Sequence, residues 1–190
     1  MRGKLFRVTD AFAEFGVEKR PWLDPGALLS RYHELAAVRH PDKCGGDPLP
    51  LARLNEARGI LGSAPSRLRH LLALTASPEM AGKIFEPDFG LFAHVGSLAK
   101  RAEQISEKRA SSPLAAAVAR AEAASLQKEI SQALARIDLQ IHALEEKVRS
   151  MDAIWPDVAP QDVSLLAEEF SFLEKWRQSL RTARTRLLGG

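Results

Sequence analysis

At 190 residues the chain has room for one domain or two small ones, and 45% apolar content is enough for packed cores without disulfide staples. Only 6% of residues are aromatic, while Ala, Leu, Glu, Lys and Arg recur throughout, which argues against a β-sandwich and for an all-α protein. The net charge of +3 lies wholly in residues 1–80, with 12 Lys/Arg against 9 Asp/Glu; that is too weak for a nucleic-acid stripe but suits a modest basic patch for an acidic protein partner.

The amino end, MRGKLFRVTDAFAEF, has no apolar core before Asp10 and Glu14, and no later stretch approaches about 18 uninterrupted apolar residues. Neither secretion nor a membrane span is expected. Cys44, the single cysteine, excludes an intrachain disulfide and a CxxC zinc site, so a cytoplasmic protein fits.

Helix starts are legible because a capping side chain followed by proline recurs as Asp24-Pro25, Asp47-Pro48, Ser77-Pro78 and Ser112-Pro113. A short helix is predicted around Ala11 to Phe15. The first long helix is predicted from about Pro25 to Val38, with Leu28, Leu29, Tyr32, Leu35, Ala36 and Val38 on its apolar face. It ends where Pro41 pushes His40 out of the helical region. A second helix is predicted from about Pro48 to Leu61, with Leu51, Leu54, Ala57, Ile60 and Leu61 inward, and a further one from about Pro65 to Leu74. Two such helices joined by roughly ten residues pack as an antiparallel hairpin with residues 40–42 at its exposed tip.

Residues 76–88 are predicted as a connector. Beyond it come three apolar stripes at three- and four-residue spacing, alternating strictly in the second. They run through Phe92, Val95, Leu98, Ala102 and Ile105; through Ile130, Leu134, Ile137, Ile141, Leu144, Val148 and Met151; and through Val163, Leu166, Phe170, Leu173, Trp176, Leu180, Ala183 and Leu187. With breaks at Ser111 to Pro113 and Trp155 to Pro160, they predict an antiparallel three-helix bundle over 89–190 with a middle helix of about 40 residues.

The segment RHPDKCGGDPLP, residues 39–50, crowds a His-Pro-Asp triplet, a lysine and the cysteine into one turn. A catalytic reading makes His40 a base oriented by Asp42; a metal reading recruits His33, His40, Asp42 and Cys44. Both lack a water-excluding pocket in an exposed hairpin tip, so no enzyme, metal site or resident cofactor is expected. An ordinary polar turn, with Asp42 in an Asx-type bend and Cys44 incidental, is the plain alternative.

The setting resembles the J-domain family: a short helix, a helix ending just before HPD, a loop, a helix close to LNEAxxxL and a fourth short helix. Here these read DAFAEFGV, LLSRYHELAAVRHPDK, LARLNEARGIL and SAPSRLRHLL, so about residues 9–74 match in order and spacing, which implies a J-domain over 8–75. The resemblance implies a co-chaperone that docks on a DnaK-type chaperone and stimulates its ATP hydrolysis. It implies that His40, Pro41 and Asp42 contact the chaperone, with Arg31, Arg39 and Lys43 as the steering basic surface.

The layout as a whole is similar to the HscB family, the J-protein partners of HscA in iron–sulfur cluster assembly. DAFAEFGVEKRPWLDPGALLSRYHEL has that family's long connection between its first two helices, and EFSFLEKWRQSL resembles the start of its last helix. The resemblance implies that the bundle holds an iron–sulfur cluster scaffold protein, with Leu91, Phe92, Val95, Leu98 and Phe172 at the matching positions. Ala93, His94, Gly96 and Lys100 stand where that family usually shows Met, Leu and Glu. His94 has no nearby cysteine and is not expected to ligate a cluster. The basic run Lys175, Arg177, Arg181, Arg184 and Arg186 is read as a solvated helix face complementing the helix dipole, not as an RNA site. Two alternatives stay open: a general J-domain co-chaperone with another client, and a helical interaction module whose HPD turn is inert.

Overall fold

The computed structural model describes residues 10–43, 45–75, 85–109 and 113–188, and these are helical with no strand. Their elements are α1 (Ala11–Phe15), α2 (Pro25–Arg39), a 3-10 turn at Pro41–Lys43, α3 (Leu49–Gly62), α4 (Ala64–Thr75), α5 (Phe89–Arg109), α6 (Pro113–Asp152) and α7 (Pro160–Leu188). No helix among the described residues is long and apolar enough to cross a membrane. Cys44, Ser77-Pro78, Ser112 and most of the predicted connector lie outside the described residues.

The chain divides into two compact units. One comprises residues up to 83 with 147–167; the other comprises 84–146 with 168–190. In the first, the Asp10 carboxylate caps α1 by accepting from the N–H groups of Phe12 and Ala13, and Gly16 ends the helix at φ 63°, a conformation that favours glycine. Asp24 caps α2 through the Ala27 N–H at 2.7 Å. At α3 the N-cap is Pro48, without a side-chain cap; Asp47, just before it, accepts from the Leu49 N–H at 2.9 Å, and the helix begins one residue after the predicted Pro48.

The first unit's core joins Ala11, Phe12 and Phe15 of α1 to Leu28 of α2, Leu54, Ala57 and Leu61 of α3 and Leu71 of α4. Burying a side chain such as Phe12 or Leu54 stabilises by about 2–3 kcal/mol relative to exposure. Leu29 and Val38, predicted on the inner face of α2, are exposed, because α2 turns only a narrow Leu28–Tyr32–Leu35–Ala36 strip inward. Trp155, from the α6–α7 connection, packs against the same core.

Buried polar groups lock this unit. Arg67 donates from Nε to the Pro21 carbonyl at 2.8 Å and from Nη1 to the Leu61 carbonyl at 2.6 Å. His70 accepts from the Ala11 N–H at 3.0 Å through Nε2 and stacks on Phe12. Asp152 accepts from the Trp22 N–H at 3.1 Å and pairs with Arg20 at 2.7 Å, while the Arg149 guanidinium lies 4.3 Å from the centre of the Trp22 ring. The α1–α2 connection is thereby fastened to the end of α6.

In the second unit α5 and α6 run antiparallel, joined by Arg101–Glu129 at 2.6 Å and Lys108–Glu122 at 3.1 Å. Between α6 and α7 lies the Asp138–Arg177 pair at 3.5 Å, also antiparallel. The predicted stripes of α6 and α7 are buried except at Met151, which is half-buried; Val148, Met151, Val163 and Leu166 belong to the first unit and the rest to the second. The α5 stripe is buried as predicted at Val95, Leu98, Ala102 and Ile105, but its first position is Leu91, not Phe92, which is 56% exposed.

Candidate functional site

The HPD turn is built by the end of α2. His40 leaves the helix with ψ 139°, the extended geometry that a following proline imposes. The turn closes through Lys43 N–H to the His40 carbonyl at 2.8 Å and Gly46 N–H to the Pro41 carbonyl at 2.8 Å. Gly45 and Gly46 take φ of 65° and 87°, so glycines complete the bend. The Asp42 N–H and carboxylate each lie 3.4 Å from His40 Nδ1. The Asp42 side chain is 88% exposed, and Lys43 is exposed beside it. Among the described residues no group of three His, Cys, Asp or Glu side chains is arranged to hold a metal ion.

The basic residues assigned to steering have internal partners. Arg39 pairs with the Glu14 carboxylate at 2.8 Å and donates to the Glu14 carbonyl at 3.0 Å. Arg31 donates to the Phe15 carbonyl at 3.2 Å and pairs with Glu34 at 3.0 Å. Lys43 alone of the three reaches into solvent without a charged partner among the described residues.

LNEAR, whose resemblance was noted as a string, has a physical task. The Asn55 side-chain oxygen accepts from the Tyr32 hydroxyl at 2.8 Å, and the Arg58 guanidinium lies 4.2 Å from the centre of the Tyr32 ring. These contacts fix α2 against α3 and so set the direction in which the turn projects.

On the bundle, three of the five matching positions correct the expectation of an apolar surface. Leu91, Val95 and Leu98 are 3%, 3% and 1% exposed, because the four-three spacing counted back from Ala102 places them, and not Phe92, on the seam. Phe92 and Phe172 come together instead through Trp176. Ring centres are 6.3 Å apart for Phe92–Trp176, 6.0 Å for Phe172–Trp176 and 5.1 Å for Phe85–Phe172. Beside these rings a cleft of about 150 Å³ is lined by Phe85, Glu86, Asp88, Gln140, Glu169 and Trp176, among others. Sequence reading missed Phe85, Glu86, Gln140 and Glu169; the acidic-aromatic string FEPDF at the entry to α5 was the available signal.

No protein-family model matches the chain. A solved structure, chaperone HscB from Vibrio cholerae, matches with a TM-score of 0.55 at 16% identity, over 94% of this chain and 99% of that one. This chain has the HscB fold. That fold is a helical J-domain plus a C-terminal helical bundle. At 16% identity the likeness speaks for fold, so individual roles rest on the geometry above.

Proposed function

We propose that the protein is a J-domain co-chaperone. In this reading residues 8–75 form a J-domain that stimulates the ATPase of an HscA/DnaK-type chaperone, 76–88 connect, and 89–190 hold an iron–sulfur cluster scaffold protein for presentation to that chaperone. The chain performs no chemistry of its own and needs no resident cofactor.

The observation that carries this reading is the exposed Asp42 carboxylate at the hairpin tip, held among the described residues only by the long contact to His40. A carboxylate so displayed offers a short, directional, charge-assisted contact to an arginine of the partner. Pro41 limits the backbone freedom of the turn, and His40 orients Asp42, so less order has to be imposed on docking. Lys43 supplies encounter charge, whereas Arg31 and Arg39 chiefly hold α2 to α1.

For the scaffold, Phe92 and Phe172 supply the apolar contact, and Glu86, Asp88 and Glu169 supply the acidic one. Leu91, Val95 and Leu98 act beneath them as support. This smaller apolar face also favours a second reading, a J-protein with another client. Two measurements test the proposal. ATP turnover by an HscA- or DnaK-type chaperone should rise when this protein is added. Calorimetry should show the scaffold binding at about micromolar Kd, weakened by Phe172→Ala; absence of both effects contradicts the proposal.

A further inference from the structure

The cleft beside Phe172 and Trp176 is too small for a cofactor or drug-sized ligand, which fill about 300–1,000 Å³. At about 150 Å³ it suits a single side chain. We propose that it receives an arginine side chain from the protein that docks on the bundle, an inference that rests on the client-holding reading above.

Three features of the lining specify the occupant. The rings of Phe85, Phe172 and Trp176 make an apolar, π-rich wall, against which a guanidinium and its methylene stem stack well. Glu86 and Glu169 have no ion pair among the described residues, so the rim carries uncompensated negative charge. Asp88 is already engaged, capping α5 through the Leu91 N–H at 2.9 Å and lying 3.9 Å from Arg136.

The third feature is Gln140. Its Oε1 is buried and has no hydrogen-bond partner, an uncommon condition for a buried acceptor, and its side chain lines this cleft. The unpartnered Gln140 acceptor together with the Glu86 and Glu169 carboxylates calls for a cation that donates in several directions. Arginine provides five N–H groups in a planar fork; lysine is a compact, strongly hydrated point charge. Phe172 already draws one cation, with Lys175 Nζ 5.8 Å from its ring centre, but Lys175 is exposed and does not line the cleft.

The test is an NMR titration of the full chain with Nα-acetyl-arginine amide and, in parallel, its neutral isostere Nα-acetyl-citrulline amide. The arginine amide should shift the Trp176 indole N–H and the Gln140 side-chain amide saturably, at a Kd on the order of millimolar. The citrulline amide should bind about tenfold more weakly or less, and the double variant Glu86→Gln/Glu169→Gln should lose about tenfold for the arginine amide. Equal binding of both amides, or no shift at these groups, overturns the assignment. So do concentration-dependent shifts without any amide, which would make a second copy of the chain the occupant.

Calorimetry with the scaffold protein separates this inference from the reading beneath it. Equal scaffold affinity in wild type and double variant removes the arginine seat and leaves the client-holding role intact. No scaffold binding to wild type, with the arginine amide still titrating the cleft, removes that role and leaves the seat.

Discussion

The guanidinium of Arg39, the last residue of α2, sits 2.8 Å from the Glu14 carboxylate and 3.0 Å from the Glu14 carbonyl oxygen. The residue immediately before the HPD turn is therefore a tether to α1. Arg39→Leu is expected to lower unfolding free energy by about 1 kcal/mol, the upper range for a partly exposed pair, as read from the urea midpoint. An unchanged midpoint with a slower chaperone on-rate would return Arg39 to a pure steering role.

His70 makes the first unit sensitive to acid. Burial lowers its pKa from the ordinary 6.5, outweighing the attraction of Asp10, and Lys19 adds repulsion in the same direction. Its Nε2 accepts from the Ala11 N–H, so protonation breaks that bond. The folded state holds the proton less tightly than the unfolded state, so this contribution is complete above the unfolded pKa of about 6.5 and is lost as pH falls through the lower folded value. Urea midpoints should decline from pH 7.5 to pH 5.5, and His70→Gln should flatten that slope. Asp10, whose own pKa is lowered, acts in a separate and more acidic window. Burial raises it, but Lys19 and the N–H groups of Ala13 and Phe12 outweigh that effect.

Arg67→Met is expected to cost about 2–3 kcal/mol. It keeps much of the apolar stem but leaves the Pro21 and Leu61 carbonyls without their charged donor. A loss under about 0.5 kcal/mol in denaturant titration would mean that other groups or water satisfy those carbonyls.

Helix limits were legible because they are local, and so was the Asp24 cap of α2. Asp-Pro pairs and the four-three stripes fixed α2, α3, α6 and α7 to within a residue or two. The α5 face was not, because Leu91 and Phe92 are adjacent and equally apolar, and only the phase carried back from Val95 distinguishes them. The HPD turn was visible as a string, but the partners of Arg31 and Arg39 were not, since no local pattern encodes a contact to Phe15 or Glu14. The Trp22–Asp152 bond spans 130 residues and is invisible to periodicity.

That bond supplies a further prediction. Asp152→Ala removes the acceptor for the Trp22 N–H and the partner of Arg20. Hydrogen exchange at the Trp22 amide should accelerate, and stability should fall by about 1–2 kcal/mol. Unaltered protection at Trp22 would show that the α1–α2 connection is held by its apolar packing alone.

Action on another protein's ATPase through Asp42 is read from chaperone ATP turnover with wild type and Asp42→Asn side by side. The Asp42 side chain is exposed, and among the described residues its carboxylate makes one weak contact, to His40. The variant should therefore melt within a degree or two of wild type, since such surface changes stay within about 0.5 kcal/mol. Wild type should stimulate hydrolysis, and Asp42→Asn, equally folded, should not. Equal stimulation by the two proteins would contradict action through Asp42.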